Sequence, residues 1–205
     1  MIDKFKKLLD TIPRRIITPR LEITLLDLDK DSDAISDELT GDSWDDMHSW
    51  VSWVTSKEAL SRTGHRKTAQ ENVEAFLSGD SYFGVSRLRS DGTLGPQVTL
   101  YHMNHDSNTG EYGYWTPKLL TGQKLTQEAS IAMLMLGRDF YGLKKIFADH
   151  SLGNVASKRV LENLGFKFSH VEKDGAQRGS GEKIDAVHYV LDDMNSIPKC
   201  EIQFI

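Results

Sequence analysis

Apolar positions along the chain switch between two periods, and the switches mark its elements. Leu21, Ile23 and Leu25 alternate with polar residues and predict a first strand. Residues 27–33, DLDKDSD, read as an acidic turn and helix cap; the glycine and terminal glutamate of a calcium loop are missing. Over 43–55, Trp44, Met47, Val51 and Val54 share a helical face behind a serine cap, with Trp50 and Trp53 at its edge. Thr68 and Glu71 are spaced as a capping box for a helix turning Ala69, Val73, Phe76 and Leu77 inward. Strand-like runs at 82–89 and 97–103 flank Asp91-Gly92, a hairpin signal.

The second half is more regular. The aromatic run EYGYW at 111–115 predicts a strand that Pro117 ends. The helix predicted over 126–142 is apolar almost all round at 131–136, the mark of a buried helix, and Gly142 suits its C-cap. A short strand at 145–148 follows. Next comes a helix over 154–164 with Ala156, Val160 and Leu164 at four-residue spacing. Gly165 closes it, and Phe166 opens a strand over 166–171. A polar loop over 173–183 and a last strand over 186–191 complete the pattern. Strand, helix and strand with short connections imply a parallel pair with a right-handed crossover. Ahead of all this, Ile2, Phe5, Leu8, Leu9 and Ile12 share one face of a short helix ended by Pro13. Docking on its own domain or on a second subunit is its preferred reading, with a membrane surface the lesser alternative.

Composition narrows the class. A chain of 205 residues, 39% hydrophobic, suits one domain with a full core. A net charge of −5 argues against general nucleic-acid binding and tolerates a cationic substrate. The single cysteine, Cys200, excludes a disulfide framework and a cysteine metal site. Nothing reads as a signal peptide or a bilayer span, so the cytoplasm is the expected setting. His102 and His105 stand three apart on a strand end and turn, which aims them at opposite faces and makes no metal site. His150 falls at the end of a central strand, as cleft lining. A serine-hydrolase elbow, Gly-x-Ser-x-Gly, is absent.

A helix opening directly after a strand aims free N–H groups and its positive dipole end beyond that strand, an anion site suited to a pyrophosphate. The stretch from EYGYW through TGQKLT to NVASKRVLENLGF, with its Asn-x-x-Ser-x-x-Val and Gly-Phe pattern, resembles the GNAT acetyltransferases. It is closest to the branch that acetylates N-terminal amines of ribosomal proteins. The resemblance implies an α/β (α+β) fold: a mixed, mostly antiparallel twisted sheet of about seven strands, flanked by helices and splayed between strands 4 and 5. It places the domain at 18–194, between an N-terminal extension (1–17) and a tail (195–205).

It also implies acetyl-CoA as co-substrate, no metal, and direct attack by a primary amine. That amine belongs to a protein N-terminus or to a small molecule such as a polyamine or aminoglycoside. The implied cofactor contacts are Tyr114, Trp115 and Thr116 on the strand end and Thr121, Gly122, Gln123, Lys124, Leu125 and Thr126 in the loop. Asn154 would bind the pantetheine amides, and Ser157 would protonate the leaving thiolate. Trp50, Trp53 and Tyr112 are the acceptor-side candidates. Glu111 is the candidate base, with Glu172 or Glu182 as alternatives, because the position where the branch keeps its glutamate is Ala176 here. Two glycine positions of the family loop carry Lys124 and Thr126. That departure leaves a second expectation standing: a GNAT-fold binding or interaction module with weakened catalysis. A homodimer stays open.

Overall fold

The computed structural model describes residues 9–205. The helix expected over 1–12 lies mostly outside the described residues. One nine-stranded sheet organises the rest, in the order β7-β8-β6-β5-β4-β3-β2-β1-β9. Its strands are β1 (Arg15–Ile17), β2 (Leu21–Leu25), β3 (Tyr82–Leu88), β4 (Leu94–Asn104), β5 (Thr109–Trp115), β6 (Lys145–Ser151), β7 (Lys167–Gln177), β8 (Lys183–Leu191) and β9 (Gln203–Phe204). Every neighbouring pair is antiparallel except β5 and β6. The expected mixed, mostly antiparallel sheet is therefore present, with nine strands and not about seven. The two extra strands, three and two residues long, are too short to show alternation, and β1 and β9 pair with each other outside the bounds 18–194.

Helices α1 (Leu28–Thr40), α2 (Trp44–Trp50) and α3 (Arg62–Ser78) precede β3; α4 (Leu125–Asp139) joins β5 to β6, and α5 (Val155–Asn163) joins β6 to β7. Two apolar clusters result. The larger centres on α4, ten of whose fifteen residues are buried, as its all-round apolar middle requires. The smaller joins α1–α3 to the sheet through Ile35, Leu39, Met47, Val54, Val85 and Trp115. No helix among the described residues is long and apolar enough to cross a membrane.

Three local expectations change. The acidic run at 27–33 holds the expected helix cap, Asp27 accepting from the N–H groups of Asp29 and Lys30, but the rest of it is the first turns of α1 and not a free turn, with Asp31 wholly buried on Arg87 at 2.8 Å. Helix α3 begins at Arg62 behind Ser61, six residues before Thr68, so Thr68 and Glu71 are interior positions and no capping box. Gly64 in its first turn hid that start, and Leu77 faces solvent at 58% exposure. The loop expected over 173–183 is mostly strand, since β7 runs to Gln177 and β8 begins at Lys183.

Glu128, in the first turn of α4, ties that helix to the entry of β2. It accepts from the Thr18 hydroxyl (2.6 Å), the Arg20 N–H (2.8 Å) and the Arg20 guanidinium (2.7 Å). Burial raises its carboxyl, but these bonds outweigh burial and hold it below the usual range. A depressed folded value means its stabilisation is present above the unfolded carboxylate value, about 4.3, and is lost as pH falls through the folded value. Glu128→Gln is expected to cost about 2 kcal/mol near neutral pH. Its unfolding free energy should converge on the wild type's as pH falls through the depressed folded value of Glu128, which denaturant titrations across pH would show.

Candidate active site

The site begins where the one parallel pair comes apart. β5 and β6 match at Thr109↔Lys145, Gly110↔Ile146 and Glu111↔Phe147, and no further. Beyond that point β5 stays on β4 as far as Trp115, and β6 stays on β8 as far as Ser151. The facing edges from Tyr112 and Ala148 onward lack strand partners, so alternate backbone N–H and C=O groups border an opening. Because the pair is parallel, both strands deliver their following helices to the same rim. The first-turn N–H groups of α4 and α5 have no intrahelical acceptor there. The splay expected after EYGYW is thus in place.

On the helix side of the opening, Tyr114 Oη lies 2.8 Å from Ser157 Oγ and 3.0 Å from the Ser157 carbonyl oxygen, and its single hydrogen serves one of the two at a time. Burial holds the Tyr114 phenol well above its ordinary range, so it stays a donor. When Tyr114 donates to Oγ, the Ser157 hydrogen is free to be given elsewhere. Asn154 caps α5: its Oδ1 accepts the Ser157 N–H at 3.0 Å. That leaves the NH2 end of Asn154 for a ligand and fixes the residue that presents Ser157.

The turn into α4 holds one glycine and one lysine in the left-handed region. Lys124, the residue before α4, is left-handed at φ 61°, and Gly122 is at φ 76° with open space where a Cβ would stand. Thr121 Oγ1 donates to the Lys118 carbonyl and Gln123 Nε2 to that of Leu119, so both side chains brace their own loop. Thr126 Oγ1 sits 2.6 Å from Thr116 Oγ1 and joins the helix start to the strand end. Leu125 and Trp115 are buried, and Trp115 also borders the cleft. Lys124→Gly is expected to raise stability by about 0.5–1 kcal/mol, the left-handed penalty less the extra unfolded-chain entropy of glycine. A lower denaturant midpoint would show instead that the lysine side chain stabilises the turn.

A cleft of about 990 Å³ opens on the other side and reaches Tyr114, Asn154 and Ser157 through the splay. Trp50 and Trp53 both line it, Trp53 at 48% exposure. Tyr112, expected with them, also borders the cleft, but it is 2% exposed and its hydroxyl is given to Ser130 at 2.6 Å. By strand alternation Tyr112 and Tyr114 turn toward α4 and α5, while Glu111 lies on the opposite face of β5, with Gly113 and Trp115. There Glu111 lies 3.3 Å from His102 Nδ1 and is hydrogen-bonded by Tyr101. His102 reaches it through a bulge at φ 47°, where the β4–β5 register shifts. Asp149 is exposed in the cleft yet walled by protein. Lost water raises its carboxyl, and Glu111 and Glu172 raise it further while His188 opposes them. Glu172 is engaged with His188 at 3.2 Å, and Glu182 with Arg178 at 3.2 Å.

The hairpin tip between β7 and β8 closes one end of the cleft. Arg178 donates to the Ser49 carbonyl (3.1 Å) and lies 5.2 Å over the Trp50 ring; the Gly179 N–H donates to the His48 carbonyl (2.9 Å). Ser43, expected as a side-chain cap for α2, makes no such bond. Its hydroxyl instead donates to Glu38 and accepts the Lys118 N–H. His102, Asp149, Arg178 and Gly179 carried no local sequence signal, because each takes its meaning from a segment far along the chain. Among the described residues no group of three or more His, Cys, Asp or Glu could hold a metal ion.

Residues 20–167 match the family described as "Acetyltransferase (GNAT) domain". A Bacillus subtilis protein, YdaF, whose name assigns it provisionally to the ribosomal N-acetyltransferases, is 26% identical over 104 residues. That match covers 51% of this chain and 56% of the relative, so the chain spans little more than half the length of the curated relative it matches. Among solved structures, Mycobacterium smegmatis RimJ in complex with CoA-disulfide has a TM-score of 0.80 at 18% identity, covering 91% of this chain and 88% of that one. The ribosomal-protein-S5-alanine acetyltransferase of Vibrio fischeri has a TM-score of 0.79 at 16% identity, covering 90% and 99%. At such identities the two structures speak to the fold.

Proposed function

Because the chain belongs to the GNAT acetyltransferase family, we propose that it moves the acetyl group of acetyl-CoA to a primary amine, the N-terminus of a protein. The observation that carries this reading is the Tyr114–Ser157 hydroxyl pair at the mouth of the β5–β6 splay, with a cleft opening behind it. The residues present fit the co-substrate. The start of α4 offers unpaired N–H groups and Lys124, Gly122 leaves room for close approach, and the splay exposes backbone edges.

Acetyl-CoA supplies an activated thioester carbonyl, and the remaining tasks fall to the chain. The unpaired edge of β5 near Tyr114–Thr116 offers backbone N–H donors where negative charge develops on the carbonyl oxygen. Ser157 gives its proton to the leaving thiolate, with Tyr114 donating to Ser157 in turn. Glu111, on the opposite face of β5, takes the proton the amine sheds as its nitrogen bonds to the acetyl carbon, directly or through water. Trp50 and Trp53 wall the acceptor. The names of the relatives, together with a cleft open enough for a chain end, support a protein acceptor over a small amine.

The test is purified protein with acetyl-CoA and an acceptor panel: peptides beginning with Ser or Ala, spermidine, and an aminoglycoside. Thiol release and a mass gain of one acetyl group on a peptide α-amine are expected. Turnover confined to the small amines would move the acceptor class. Binding of acetyl-CoA without turnover of any amine would favour the binding module that Lys124 and Thr126 had suggested.

A further inference from the structure

Two residues bordering the cleft, Ser81 and His150, bury a side-chain polar atom with no hydrogen-bond partner in the protein, and of these His150 borders the opening between β5 and β6. His150 is 7% exposed, and its Nε2 is buried without a hydrogen bond. The other ring nitrogen, Nδ1, lies 2.9 Å from the Ser151 carbonyl oxygen. A carbonyl oxygen only accepts, so Nδ1 carries the hydrogen, and Nε2 of the neutral ring presents a lone pair. The ring also packs beside Tyr189, centroids 5.5 Å apart. Leaving a buried acceptor unpaired is costly, and such atoms in native proteins call for a partner.

Strand register places that partner. Counting on from Glu111↔Phe147, Tyr114 and His150 occupy matched positions on β5 and β6, on one face, just after the strands part. Both line the cleft, together with Asn154 and Ser157. His150 therefore borders the opening across from the Tyr114–Ser157 pair, on the donor side. Glu111 and Asp149 alternate to the opposite face.

We propose that His150 is a positioning residue for the acyl donor: its Nε2 accepts a hydrogen bond from an amide N–H of the extended thioester arm as the arm passes through the splay. The proposal rests on the acetyl-CoA reading above and assigns the side chain that recognises the arm. The ligand class is a thioester whose chain carries secondary amides. A lone pair in a dry wall selects an N–H donor and rejects carboxylate or phosphate, so the anionic end is left to the start of α4.

Calorimetry on the full chain separates the two ideas with two probes: acetyl-CoA, and adenosine 3′,5′-bisphosphate, which has the nucleotide end and no arm. The wild type is expected to bind both. His150→Leu should bind acetyl-CoA about tenfold more weakly, the loss of one buried hydrogen bond, with bisphosphate affinity unchanged. His150→Gln places an amide oxygen near the lost Nε2 and should bind acetyl-CoA within about threefold of the wild type. Unaltered acetyl-CoA affinity in His150→Leu would overturn the assignment while leaving the acetyl-CoA reading intact. So would an equal loss for both probes, which marks a general disturbance of the site; thermal unfolding of both variants would reveal it. A wild type that binds neither probe defeats the acetyl-CoA reading, and the role of His150 with it.

Discussion

Ser157→Ala is expected to lower kcat by about 10²- to 10⁴-fold, the range for loss of a general acid, and to leave acetyl-CoA affinity nearly unchanged. The substitution is mild for the fold, because Asn154, not Ser157, caps α5. What disappears is the one hydroxyl at the mouth of the splay that Tyr114 can recharge. Tyr114→Phe should cost less, about tenfold, since Ser157 keeps its own proton and loses only the donor behind it. Steady-state kinetics on the best acceptor of the panel, with calorimetric binding alongside, is the check. A fall of less than threefold in Ser157→Ala would remove Ser157 from proton transfer and leave it a helix-face hydroxyl.

Gly179→Ala has the second large effect, and the cause is space. A Cβ there would stand 2.0 Å from the Val54 carbonyl oxygen and 2.4 Å from His48 Nδ1. Neither atom can yield cheaply: His48 Nδ1 donates to that same carbonyl at 2.7 Å, and the Gly179 N–H is held by the His48 carbonyl. The hairpin tip must lift, and the Arg178 contacts with Ser49 and Trp50 go with it. Acceptor KM should rise about tenfold or more, the equivalent of one or two lost hydrogen bonds. Acetyl-CoA affinity should hold, and limited proteolysis should cut faster within 178–182. An unchanged acceptor KM in a protein with a protease-sensitive hairpin would show that the latch is no part of the acceptor site.

These two predictions differ in how far the sequence anticipates them. Ser157 stands out in the sequence itself, because Asn154 and Ser157 three apart on a short helix before Gly-Phe form a local pattern. Gly179 does not. It lies in a stretch that reads as loose polar loop, and only the contact with α2 gives it meaning. Strands β1 and β9 escaped for a related reason: a two- or three-residue strand is defined by its partner and not by its own alternation. The start of α3 escaped because Gly64, in its first turn, looks like a break in periodicity.

Period and punctuation were enough to determine the order of elements from β3 to β8, the all-round burial of α4, the parallel crossover from β5 to β6, and the helix opening beyond each strand. All of these follow from preferences of residues within about two turns of one another. Only the tertiary structure decided which side chains meet. Tyr114 finds Ser157 across 43 positions, and Arg178 finds Ser49 across 129. Glu111 is turned toward His102 and away from Tyr112 by register and a bulge. Such meetings depend on strand register, on where two strands part, and on how a hairpin tip folds back. Those quantities belong to the packed chain as a whole, and no local run of residues carries them.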